Sequence, residues 1–151
     1  MRIALSKDGT KIVYNKTGTG PVIILIDGAF CSKDFGPMPK LVPTLSQHFT
    51  VISYDRRARG ESGDTKPYAV EREIEDLEAL ITLNGGNAFL FGISSGAILA
   101  LRAVANGLRV QKLVIFEPPF ATTKHIASSL DAYQELSRLI DMGNRGGAVQ
   151  Y

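Results

Sequence analysis

Gly92-Ile93-Ser94-Ser95-Gly96 follows the apolar run Phe89-Leu90-Phe91 and precedes Ala97 to Asn106, a stretch with helical character. A serine between two glycines at a strand-to-helix turn is the arrangement of a nucleophile elbow. Side chains at the glycine positions would collide with neighbouring backbone in so tight a turn. The turn also leaves the Ser94 hydroxyl at the positive end of the following helix, where negative charge is favoured. Ser94 is therefore the candidate nucleophile. Five residues of this kind also fit an ordinary strand-helix turn in which Ser94 or Ser95 is an N-cap. A serine hydroxyl needs a base, normally a histidine held by a carboxylate, and the chain has two histidines, His48 and His125.

The elements that must position Ser94 can be read from pattern. Residues 2–5 and 11–14 are short strands around Lys7-Asp8-Gly9-Thr10, and Asp8-Gly9 favours a hairpin turn, so they pair antiparallel. Thr17-Gly18-Thr19-Gly20-Pro21 interrupts the chain. Val22 to Ile26 is continuously apolar, as in a strand buried on both faces. Met38, Leu41, Val42 and Leu45 have helical spacing that Pro43 shortens. Phe49 to Tyr54 is a strand. Val70, Ile74, Leu77, Leu80 and Ile81 mark an amphipathic helix. Ala88 to Phe91 is a strand, Ala97 to Leu101 is apolar all round and reads as a buried helix, and Lys112 to Phe116 is a further strand. This alternation predicts an α/β fold with a mostly parallel sheet and an antiparallel N-terminal hairpin. Ile126, Leu130, Tyr133, Leu136, Leu139 and Ile140 predict one more amphipathic helix, ending near Gly143, and residues 146–151 begin another element.

With 151 residues, 44% of them hydrophobic, and a net charge of +2, the chain suits one domain with a real core. So small an excess of charge gives no reason to expect nucleic acid or a membrane as partner. Cys31 is the single cysteine and cannot form an internal disulfide, so nothing demands an oxidising compartment. The N-terminal residues lack a signal-peptide pattern and no apolar run is long enough to cross a bilayer, so a cytoplasmic location is expected. Metal-ligand spacing and a Gly-rich phosphate loop are absent, and no cofactor is expected. Arg56-Arg57-Ala58-Arg59 is basic, but Asp55, Glu61 and Asp64 dilute it, which favours a structural role over an anion-binding patch. Cys31 reads as a small filler rather than a nucleophile. Phe30, Phe35, Phe120 and Tyr133 suit either an acyl pocket or the core.

Four features in order resemble the N-terminal part of an α/β-hydrolase-fold protein. They are the opening hairpin, Ile26-Asp27-Gly28-Ala29 after a buried strand, Asp55-Arg56-Arg57-Ala58-Arg59-Gly60-Glu61-Ser62, and the elbow at Ser94. The match covers residues 2–120. It implies a division into 1–120, the N-terminal part of the hydrolase core, and 121–151, the start of a helical cap or lid. It further implies that Ser94 attacks an acyl carbon or related electrophile, with the oxyanion held by the N–H groups of Ser95 and Ala29. Each such donor is worth roughly 3 kcal/mol of barrier. Asp27 stands where the family usually has histidine, and its charge would disfavour an oxyanion. Ala58 stands where glycine is common.

The family order is serine, then acid, then histidine, with both partners C-terminal to the elbow, after the seventh and eighth strands. The resemblance thus implies that the C-terminal strands are absent from these 151 residues, as in a truncated product or a fragment. Within the chain, Ser94–His125–Glu117 is the conceivable relay. His48, before the strand at 49–54, belongs at the opposite end of the sheet. An edge strand at 112–116 would expose Leu113-Val114-Ile115-Phe116, so self-association or a complementing C-terminal segment is expected. Two functions remain open. One is a serine hydrolase of a small-molecule ester or related acyl substrate. The other is a catalytically incompetent fragment or binding and assembly module that needs a C-terminal partner.

Overall fold

A computed structural model describes residues 1–120 and 123–150, with side chains described over 1–120 and 131–150. Two compact units divide the chain at Pro119/Phe120. The first holds six strands, β1 (Arg2–Leu5), β2 (Lys11–Thr17), β3 (Val22–Ile26), β4 (Thr50–Tyr54), β5 (Phe89–Ile93) and β6 (Lys112–Phe116). Its helices are α1 (Val42–Leu45), preceded by a single 3-10 turn at Met38–Leu41, then α2 (Val70–Leu83) and α3 (Ser95–Ala105). The second unit holds α4 (Thr123–Asp141) and α5 (Arg145–Gln150). Gly143, at φ +73, separates these two helices, in keeping with glycine's tolerance of the left-handed region after a helix.

The sheet runs β1-β2-β4-β3-β5-β6. β1 and β2 pair antiparallel, as do β2 and β4, while β4, β3, β5 and β6 are mutually parallel. The hairpin closes at Ser6 and Thr10, whose turn is held by Gly9 N–H donating to the Ser6 carbonyl at 2.9 Å. From β3 the chain moves outward to β4, then returns across β3 to β5. The carboxyl ends of β3 and β5 therefore flank a topological switch point, the place where open α/β sheets form crevices.

Strand parity explains the core. Successive side chains in β3 point to opposite faces. Ile24 and Ile26 enter a large apolar cluster with Ile52, Leu90, Leu77, Leu80, Leu99 and Ala103, under α2 and α3. Ile23 and Leu25 face the other way, onto Met38 and Val51, with Val42 and Leu45 beside them. Burial on both faces is why β3 reads as a continuous apolar run. In α3 the expectation of all-round burial fails. Ala97, Leu99, Ala100 and Ala103 are buried, but Ile98 and Leu101 are half-buried and Val104 is exposed, because the described elements cover one side of the helix only. β6 is the edge strand on the parallel side of the sheet, and Val114, Ile115 and Phe116 are 51%, 39% and 53% exposed.

The loop after β4 locks sheet, hairpin and α2 together. Asp55 is fully buried; its Oδ1 accepts from Lys33 N–H at 2.7 Å and its Oδ2 from Glu61 N–H at 2.9 Å. Gly60 turns at φ +51, and a Cβ there would lie 2.3 Å from the Asp55 carboxylate. Arg57, its side chain wholly buried, donates to Asp76 of α2 at 2.9 and 2.7 Å and to Asp8 of the hairpin turn at 2.9 Å. Two of the loop's three arginines, Arg56 and Arg57, are thus internal ion-pair residues. Arg57 holds the Asp8 carboxyl far below the ordinary carboxylate range, with help from Thr10. Ala58, exposed, sits at φ +62.

Two outcomes follow for stability. Because Asp8 is depressed in the folded state, its contribution is complete above the unfolded carboxylate pKa of about 3.9 and is lost as pH falls below it. Asp8→Asn should flatten the fall in unfolding free energy below about pH 4, measured by urea titration at a series of pH values. Ala58→Gly should raise stability by up to about 1 kcal/mol, since relief of left-handed strain outweighs the extra unfolded-state entropy of glycine. A lowered thermal midpoint would contradict it.

Candidate active site

The carboxyl ends of the four parallel strands carry the loops that begin at Asp27, Asp55, Ser94 and Glu117. Ser94 leaves β5 at φ +53, ψ −124, a strained conformation for a residue with a Cβ. Its N–H donates to the Phe116 carbonyl at 3.0 Å, and its own carbonyl accepts from Ala97 at 3.0 Å as α3 begins. The strain is held in place by close packing. A Cβ on Gly92 would lie 2.5 Å from the Gly96 carbonyl oxygen, and one on Gly96 would lie 2.1 Å from the Ile26 carbonyl oxygen. Only glycines let the first turn of α3 rest on the end of β3.

That contact brings the two halves of the candidate site together. A Cβ on Gly28 would stand 3.2 Å from Ser94 Cβ and 3.7 Å from Ser94 Oγ, so the Asp27-Gly28-Ala29 turn lies against the serine. Ser95 is the first residue of α3, where an N–H has no acceptor within the helix. Among the described residues Ala29 N–H donates to no backbone or side-chain acceptor either. Ala29 is exposed and Ser95 half-buried.

Three successive carbonyls of the turn are held by side chains. Arg56 Nη1 donates to the Asp27 carbonyl at 3.3 Å, Arg59 Nη1 to the Gly28 carbonyl at 2.5 Å, and Cys31 Sγ to the Ala29 carbonyl at 3.3 Å. Arg56 also donates to Ser95 Oγ at 3.1 Å, so it bridges the turn and the elbow. Its remaining nitrogens grip Glu73 of α2 at 2.6 and 2.7 Å, and Tyr68 donates to the same carboxylate at 2.7 Å. Burial pushes the Glu73 carboxyl up, but the Arg56 and Tyr68 hydrogen bonds outweigh it and leave it below its ordinary value.

Asp27 is 5% exposed. Its Oδ1 accepts from Gly28 N–H at 2.9 Å, while Oδ2 is buried without a partner at hydrogen-bonding geometry. Burial raises its pKa, tempered by the Gly28 N–H, the nearby Cys31 thiol and Met38 N–H, and the Arg59 charge. Cys31 is half-buried, and burial together with Asp27 pushes its thiol up. A thiol so raised is a poor nucleophile. Phe30 (φ +58) and Phe35 are exposed beside the turn, and Phe120 and Tyr133 are exposed within the second unit, so none of the four is core.

The proposed relay is only partly placed. Glu117 is exposed at φ +48, one residue beyond the carbonyl that accepts from Ser94. The His125 side chain lies outside the described residues. His48 is exposed just before β4, at the amino end of the parallel strands. Among the described residues no group of three His, Cys, Asp or Glu side chains is placed to hold a metal ion, and no helix is long and apolar enough to cross a membrane. The sequence missed Arg56 and Arg59 as parts of this site. The short spacing from Asp55 marked their loop, but nothing local marked Glu73, Ser95 and the turn carbonyls as their partners.

Comparison with known proteins agrees with this fold. A model of the alpha/beta hydrolase family matches residues 23–147. An alpha/beta hydrolase from Sphaerobacter thermophilus DSM 20745 superposes with a TM-score of 0.89 at 47% identity, covering 99% of this chain and 58% of that one. The esterase RhEst1 from Rhodococcus sp. ECU1013 gives a TM-score of 0.68 at 27% identity, over 76% of this chain and 44% of that one. The uncharacterized hydrolase YraK of Bacillus subtilis (strain 168) is 32% identical over 101 residues, 64% of this chain and 36% of its own. The chain thus spans between about a third and three-fifths of the length of these relatives. With a family model matched across most of its length, and a fold and turn geometry to suit, this chain belongs to the alpha/beta hydrolase family.

Proposed function

We propose that this chain supplies the nucleophile and oxyanion hole of a serine hydrolase acting on a small ester or related acyl substrate. The observation that carries this reading is the strained Ser94 backbone, packed against the Gly28 turn with two unused N–H groups beside it. Ser94 Oγ adds to the acyl carbon as a base takes its proton. The carbonyl oxygen becomes an oxyanion that accepts from Ala29 and Ser95 N–H, and the positive end of α3 favours the same charge. Collapse expels the alcohol and leaves an acyl-serine that water then hydrolyses. An ester is the substrate class because a structural relative at 27% identity is described as an esterase.

By the family order, the base and its carboxylate follow the sixth strand. Relatives longer than this chain have room for them. His125 with Glu117 is the alternative source within the 151 residues. The exposed apolar edge at Val114, Ile115 and Phe116 favours a second reading, in which these residues alone form a binding or assembly module completed by a C-terminal segment.

Intact-mass analysis with a fluorophosphonate probe separates these readings. A single adduct that maps to Ser94 and disappears in Ser94→Ala is the expected result. Loss of that adduct in His125→Ala assigns the base to this chain, whereas retention assigns it elsewhere. An intact native chain that takes no adduct, either alone or with a complementing C-terminal segment, removes the nucleophile reading and leaves the module.

A further inference from the structure

The turn after β3 has no backbone-to-backbone hydrogen bond over residues 27–31 among those described; side chains hold it instead. The three held carbonyls differ in what they control. A peptide unit is planar and trans, so its C=O and N–H point in opposite directions and turn together. The Asp27 carbonyl shares its unit with Gly28 N–H, which is already engaged by Asp27 Oδ1. The Ala29 carbonyl shares its unit with Phe30 N–H. Only the Gly28 carbonyl shares its unit with Ala29 N–H, and that carbonyl accepts from Arg59 at 2.5 Å.

Charge points to the same residue. Asp27 places a buried carboxyl, one oxygen unpartnered, beside a site where negative charge must develop. Arg56 and Arg57 are committed to Glu73, Asp8 and Asp76. Arg59 is half-buried, has no carboxylate within 4.0 Å among the described residues, and its guanidinium sits on the carbonyl of Gly28, the residue after Asp27. Its guanidinium is thus a cation uncommitted to any ion pair there, held on the turn by one hydrogen bond among the described residues.

We propose that Arg59 is a positioning residue of the oxyanion hole: by holding the Gly28 carbonyl it aims and polarises the Ala29 N–H, and its charge offsets Asp27. A cationic donor on the carbonyl oxygen draws electron density along the peptide and leaves the N–H more positive, the cooperative effect of linked hydrogen bonds. Arg59 touches no reacting atom and acts through Ala29. The proposal rests on the serine-hydrolase reading above, and its test is built to fail separately from it.

Backbone NMR of the full chain and of Arg59→Met and Arg59→Lys, with the rate of Ser94 phosphonylation by a fluorophosphonate measured on the same samples, provides that test. In Arg59→Met the Ala29 amide resonance should move upfield, with resonances of β3 and α3 unshifted. Phosphonylation should slow about tenfold, less than for outright loss of a donor because the N–H remains but is poorly aimed. Arg59→Lys should restore most of both effects, since it keeps the charge and a donor. An unmoved Ala29 amide, an unchanged labelling rate, or a lysine variant as defective as the methionine one would each overturn the proposal. A wild-type chain that is not labelled at all, even with a complementing C-terminal segment, sinks the Ser94 reading instead, and the Ala29 shift then decides the role of Arg59 alone.

Discussion

The contact between the first turn of α3 and the last carbonyls of β3 is the constraint on which the site depends. A Cβ at Gly96 would meet the Ile26 and Asp27 carbonyl oxygens at 2.1 and 2.6 Å, so the helix can seat there only with glycine at that position. Once seated, it fixes where β5 must end and drives the intervening residue, Ser94, into a left-handed conformation. The same seating sets Gly28 against Ser94. Ser94 and the Gly28 turn are neighbours through one close backbone approach, rather than through a set of side-chain contacts that could relax independently.

Such an approach leaves the turn poor in backbone hydrogen bonds, and the chain compensates from the side. Arg56 is anchored by a two-point grip on Glu73 and extends to both the turn and Ser95. A buried ion pair of this kind adds little net stability because desolvation offsets the Coulomb gain. Its value lies in geometry, since the planar guanidinium offers donors at fixed angles that a lysine could not match. Arg57 does the equivalent work one residue later, joining the hairpin turn to α2. The loop after β4 therefore distributes its arginines outward in three directions, and two of the three end at carbonyls of the Asp27-Gly28-Ala29 turn.

Much of this was readable from residue types. Parity and apolar runs predicted β3, β5 and α2, because core burial imposes periods of two and 3.6 on any sequence that forms such elements. The Asp8-Gly9 hairpin could be read for the same local reasons, whereas the division near residue 120 was implied by the resemblance alone. The exposed face of α3 was not readable, because an apolar helix announces a need for cover without saying whether neighbours supply it. Nor were the partners of Arg56 and Arg59. An arginine's choice among carboxylates and carbonyls depends on which long-range neighbours the sheet order delivers, and Glu73, Gly28 and Ser95 are distant in sequence. Asp27 lay between these cases. Its departure from the family pattern was visible, whereas the nearby guanidinium that tempers its charge required the fold.

The distribution of backbone strain argues for one working edge. Among the described residues, four that are not glycine adopt positive φ: Phe30, Ala58, Ser94 and Glu117. Each lies within four residues of the end of a different parallel strand, after β3, β4, β5 and β6 respectively. Left-handed residues carrying a Cβ cost roughly 1–2 kcal/mol each, and a chain free to choose would scatter or avoid them. Here they gather at the carboxyl edge of the sheet, while the apolar clusters under α2, α3 and α1 supply the stability that tolerates them. Strain collected where four loops converge is strain that holds side chains and N–H groups in directions a relaxed turn would not give. The edge that holds Ser94 is thus marked twice over, by the switch point in strand order and by where the backbone departs from its preferred conformations.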